Sequence, residues 1–169
     1  MTANIKPVAI QTPSGEIAFK MGITANNAFD DVVAELSAGD FDILSSACKR
    51  APGFISEFVV SEQFTGDILE DLDLAFAAWL TSDNRGRYTT NDVIEIVGSA
   101  LGFYSVARLG VRWARVTDTR GTDIALVATN PPTRSYPFSS VQYRIEDNKT
   151  NFIVALYRAL EYNMKNAVK

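Results

Sequence analysis

The residues with chemistry to offer fall into two sets, carboxylates in the first half of the chain and arginines with aromatics in the second. Asp67, Glu70, Asp71 and Asp73 crowd one segment, and Asp67 and Asp71 stand four residues apart, which places them on one face of a helix. Two carboxylates so placed could hold magnesium or act as an acid–base pair. Acids in the first turn are also what the positive end of a helix attracts, and this structural reading is the preferred one. Asp30 and Asp31 are read in the same way, as a solvated helix start. Arg108, Arg112, Arg115, Arg120, Arg134 and Arg144 are interleaved with Trp113, Tyr136 and Tyr143. Basic residues alternating with aromatics on a sheet can bind single-stranded nucleic acid. The sequence pI of about 4.8 opposes that use, so no nucleic-acid partner is expected.

The 169 residues include no histidine and a single cysteine. Ser-His-Asp and Cys-His arrangements are thereby excluded, together with the commonest zinc ligand. No glycine-rich phosphate loop follows a strand, so no catalytic residue, metal or cofactor is assigned. Cys48 closes the stretch Ile43-Leu44-Ser45-Ser46-Ala47-Cys48 and is read as a buried small hydrophobe. Asn148-Lys149-Thr150 matches a glycosylation acceptor, which has meaning only in a secreted chain.

Charge is unevenly spread. Residues 1–84 carry thirteen acids against four bases, and residues 85–169 carry seven acids against twelve bases, for a formal −4 overall. Two halves of one domain that attract each other explain this most simply; an acidic face offered to a basic partner is the sharper alternative. The opening MTANIKPVAI lacks a basic region followed by an apolar run, so no secretory signal is expected. The most apolar window, Val93 to Val111, is interrupted by Glu95 and Arg108 and holds three glycines, which suits a buried helix rather than a membrane span. A cytoplasmic location is the default.

The elements that must position these groups read as follows. Val8-Ala9-Ile10 and Ile17-Ala18-Phe19 flank Thr12-Pro13-Ser14-Gly15 as a hairpin. A helix is expected from about Asn27 to Leu36, with Phe29, Val32, Val33 and Leu36 on its buried face. A short helix follows over Phe41 to Arg50, stopped by Ala51-Pro52-Gly53, and the segment from Phe54 to Phe64 fits either helix or strand. Thr65 is expected to cap a helix ending at Leu80. Thr89 and Asp92 have the spacing of a capping box for an almost wholly apolar helix, in which Gly98 and Gly102 would let another backbone approach. Val111 to Thr117 and Thr122 to Thr129 read as a β-hairpin, Asn130-Pro131-Pro132-Thr133 as a loop, and Tyr136 to Ile145 as a third extended segment. Asn151 to Met164 reads as a closing helix with Phe152, Ile153, Leu156 and Leu160 inward. The expected fold is α+β: helices on a small antiparallel sheet, with an N-terminal β-hairpin and a C-terminal helix, in one domain spanning 1–169. An exposed sheet edge near Pro137 would permit a homodimer.

The stretches Ala100-Leu101-Gly102, Gly110-Val111-Arg112-Trp113-Ala114-Arg115-Val116, the Gly121 turn and Tyr136-Pro137-Phe138-Ser139-Ser140-Val141-Gln142-Tyr143-Arg144 resemble a family of small bacterial domains of unknown function. The resemblance covers about residues 92–157 and implies a bacterial source but no catalytic residues. Three functions are weighed. The leading one is a non-catalytic protein-interaction module, of immunity, adaptor or acidic-chaperone type, using Asp67, Glu70, Asp71 and Asp73 against a protein partner. The second is a small-ligand binder with a pocket between the Gly98–Gly102 helix and the sheet, lined by Tyr104, Trp113, Tyr136, Phe138 and Arg112. The third is an enzyme using carboxylate, arginine or tyrosine groups.

Overall fold

The computed structural model describes residues 8–12, 15–19, 32–119 and 121–166. In chain order its elements are β1 (Val8–Thr12), β2 (Gly15–Phe19), β3 (Val32–Ala34), α1 (Ala38–Cys48), α2 (Ala51–Phe58), α3 (Ile68–Thr81) and α4 (Thr90–Leu109). There follow β4 (Arg112–Asp118), β5 (Gly121–Thr129), β6 (Pro132–Ser135), α5 (Pro137–Glu146) and α6 (Ile153–Asn166). A 3-10 turn at Ser61–Gln63 links α2 to α3. The architecture is α+β, with the expected N-terminal hairpin formed by β1 and β2, paired from Val8 opposite Phe19 to Thr12 opposite Gly15.

The middle of the fold is α4. Thr89 and Asp92 form the expected capping box, each side chain accepting from the other's backbone N–H, and Gly110 ends the helix at φ 68° in the left-handed region. Val93, Ile96, Val97 and Leu101 of α4 are buried among Phe54 and Ile55 of α2, Leu72, Phe76 and Trp79 of α3, and Ile153 and Leu156 of α6. The four-stranded sheet has the antiparallel order β3-β4-β5-β6. On one face Trp113 lies opposite Leu126, and both pack with Leu44, Leu109 and Leu160. The other face carries Ala114, Val116, Ala125 and Val127, with Tyr136 against them. No helix among the described residues is long and apolar enough to cross a membrane.

Several expected elements need correction. Of the helix expected over 27–36, residues 27–31 lie outside the described residues, and Val32–Ala34 form a strand, with Val32 opposite Thr117. Adjacent β-branched valines suit a pleated edge better than a helix. Helix α1 starts at Ala38, capped by Ser37, and Ala51-Pro52-Gly53 opens α2 rather than ending a helix, because proline fits the first turn, where no N–H partner exists. Asp67, not Thr65, caps α3. Asn130 and Pro131 make the turn, but Pro132 and Thr133 already belong to β6. The largest change is α5, a helix where an extended segment was expected: Pro137 sits in its first turn and the Ser140 hydroxyl donates to the Tyr136 carbonyl. Pro137 and Val141, one turn apart, are both buried, so packing overrides the strand preference of Tyr, Val and Ile.

Candidate functional site

Three of the four clustered acids hold the fold together, each in a different way. Asp67 caps α3, its Oδ1 accepting from the amides of Leu69 (2.8 Å) and Glu70 (3.3 Å). Asp71 is buried and reaches back to the preceding loop, accepting from the Thr65 amide at 2.8 Å and its hydroxyl at 3.0 Å. Asp73 is buried and reaches across to α6, where it accepts from the amides of Phe152 (3.0 Å), Ile153 (2.9 Å) and Val154 (2.9 Å). Burial pushes the Asp73 carboxyl above its ordinary value, and the three amides pull the other way. Asp71 and Asp73 therefore offer nothing to a partner; of the set, Glu70 is exposed and Asp67 half-buried. Among the described residues no group of three potential metal ligands converges.

The aromatic candidates also separate. A Cβ at Gly102 would overlap the Trp113 ring, and one at Gly98 would lie 2.6 Å from Phe138 Cδ1. The two glycines thus admit side chains, where a backbone was expected. Trp113 and Phe138 stack with centroids 5.9 Å apart and fill the space where a pocket was expected. Tyr136 packs on the other face of the sheet, Arg112 is exposed on β4, and Tyr104 lies on a different side of α4. These five residues share no pocket. The arginines in part answer the acidic half: Arg115 binds both Asp40 oxygens at 2.7 Å, and Arg87 pairs with Glu57 at 3.2 Å. Arg120 lies outside the described residues.

What the fold does assemble is a half-open cleft of about 350 Å³ between the start of α3, the last turns of α4 and the outer face of α6. Asp67, Glu70, Tyr104, Arg108, Tyr157, Arg158 and Glu161 are its polar lining. The Tyr104 and Tyr157 rings meet edge to face at 5.0 Å, and the Arg108 guanidinium lies 3.7 Å over the Tyr104 centroid. The Tyr104 hydroxyl points to Asp67 Oδ2 at 3.4 Å. Burial, and then Glu161, raise the Tyr157 phenol, so at neutral pH it is a proton donor rather than a base. The cleft joins one pocket candidate, Tyr104, to two of the partner-binding acids, Asp67 and Glu70. Sequence reasoning missed Tyr157, Arg158 and Glu161, although Val154, Tyr157, Arg158 and Glu161 have the three-four-seven spacing of one helix face.

A long buried helix between a helical layer and a four-stranded antiparallel sheet, with an open polar cleft beside it, defines a small α+β domain. The chain belongs to the family described as a domain of unknown function (DUF3806), whose model matches residues 73–157, from Asp73 on α3 to Tyr157 on α6. No curated protein and no solved structure matches it.

Proposed function

We propose that this chain is a non-catalytic protein-interaction module acting in the bacterial cytoplasm, and that its partner docks in the α3–α4–α6 cleft. The composition of the cleft carries the reading. Two tyrosines and two arginines, the types that dominate interface hot spots, stand together on a half-open surface. The ring contact and the stacked guanidinium order Tyr104, Tyr157 and Arg108 in advance, which lowers the entropy cost of docking. Of the four acids Glu70 is the one exposed to a partner, since Asp67 caps α3 and Asp71 and Asp73 are buried. The packed Trp113–Phe138 pair favours a docking surface over an enclosed small-ligand pocket. Cys48, half-buried and with its thiol raised by burial, suits a reducing compartment. The bacterial setting rests on the resemblance noted above.

The test is native mass spectrometry of the tagged chain captured from lysate of its source, with Y157A/R158A and the control I43S run in parallel. A stoichiometric protein retained by wild type and I43S but lost from Y157A/R158A is the expected result. Equal retention by all three, a bound small molecule, or a second copy of the chain in place of a partner would overturn the assignment.

A further inference from the structure

Resting on that docking reading, the unbalanced hydrogen bonding of the cleft identifies the chemistry of what docks there. Two of its three carboxylates are already engaged: Asp67 by the α3 amides and the Tyr104 hydroxyl, Glu161 by Lys165 at 2.6 Å. Its guanidiniums are not. Among the described residues neither Arg108 nor Arg158 has a carboxylate within ion-pair distance, and neither donates a hydrogen bond. Packing over the Tyr104 ring holds the Arg108 guanidinium in place and leaves its N–H donors unused. Tyr157, protonated at neutral pH, adds another donor. A planar fork with free N–H groups matches a carboxylate, which accepts two bonds at once.

We propose that the cleft captures an acidic peptide segment, seating its side-chain carboxylates on Arg108 and Arg158 and an adjoining apolar side chain on Tyr104 and Tyr157. Glu70 is exposed at the same cleft and the chain carries a net −4, so the segment that fits has one or two carboxylates rather than a polyanionic run.

The experiment is selection from a random-peptide display library on the full chain, followed by binding of the enriched synthetic peptides to wild type and R108Q/R158Q. Both arginines are exposed, so the variant keeps the fold, which circular dichroism verifies. Enriched peptides should carry Asp or Glu and lose about tenfold in affinity for each guanidinium removed. The R108K/R158K variant, which keeps the charge but not the fork, should recover only part of the loss. Acidic peptides bound equally by R108Q/R158Q would overturn the assignment to these arginines. Acid-free peptides that shift the Tyr104 and Tyr157 resonances would overturn the carboxylate chemistry and leave the docking cleft standing. Peptides that bind without disturbing the cleft, or no enrichment at all, would overturn the docking reading itself.

Discussion

Replacing Asp73 by alanine tests whether one buried carboxylate on α3 holds the start of α6. Three amides converge on it, Phe152 and Ile153 on Oδ1 and Val154 on Oδ2, all within 3.0 Å. Taking roughly 1.5 kcal/mol for each charge-assisted bond, the low end of the usual range, gives about 4.5 kcal/mol. The desolvation cost of placing the carboxylate inside the fold offsets roughly a third of this. The expected loss in D73A is therefore about 3 kcal/mol, a large share of a typical stability of roughly 5–15 kcal/mol. In urea, with a slope of about 2 kcal/mol/M, the midpoint should fall by about 1.5 M. Asparagine keeps one oxygen for Phe152 and Ile153 but turns an NH2 group toward Val154, so D73N should lose about 1–1.5 kcal/mol. Unfolding followed by the fluorescence of the buried Trp79 and Trp113 measures both, and hydrogen exchange at 152–154 localises the effect. A D73A midpoint indistinguishable from that of wild type would refute the capping account. Equal losses in D73A and D73N would refute the division of labour between the two oxygens.

Two further predictions concern α4. Gly102→Ala drives a methyl into the buried Trp113 ring, which is stacked on Phe138 and edged by Phe103, so it should cost about 2–3 kcal/mol; an unchanged melting temperature would refute the glycine's steric role. The Asp92 carboxyl is held down at about 2, first by the Thr89 hydroxyl and then by Arg50, so its stabilisation is full above the unfolded value of 3.8 and drains as pH falls through that window toward 2. The gap between wild type and D92N, about 1 kcal/mol after solvent screening, should close over that range in urea titrations at stepped pH, and a gap that stays constant would refute it.

The parts legible in the sequence are those whose cause is local. Thr89 and Asp92 are three residues apart and cap α4 within their own turn. The β4–β5 hairpin follows from alternation around Gly121, and the inward set of α6, Phe152, Ile153, Leu156 and Leu160, follows from its period. Elements misread from sequence have distant causes. Helix α5 is helical because Phe138 packs on Gly98 and Val141 enters the core, contacts that Tyr, Val and Ile spacing does not announce. Asp73 meets α6 some 79 residues later. One clue did exist: α6 begins at Ile153 behind Phe152, a residue with no capping atom, so its amides had to be satisfied from elsewhere. The cleft was half legible, since Tyr104 and Arg108 lie four apart and the α6 lining has helical spacing, but nothing in either helix alone shows that the two faces meet.

This division changes how the charge asymmetry is understood. The acids of α3 suggested an acidic docking face, yet Asp67, Asp71 and Asp73 are committed to holding α3, the loop before it and the start of α6. Arg87 and Arg115 pair across the two halves, and Arg50 does so in the opposite sense with Asp92. Once those pairs are set aside, the cleft retains two guanidiniums with no carboxylate partner among the described residues, against one exposed glutamate, Glu70. A chain that is acidic as a whole is thus locally a donor surface in the cleft between α3, α4 and α6. Recognition there depends on short-range geometry rather than long-range attraction, because the net −4 repels the acidic segment the cleft is shaped to hold. A partner that binds by this route should associate slowly, and salt should act on it in two opposed ways: it relieves the global repulsion and weakens the local pairs.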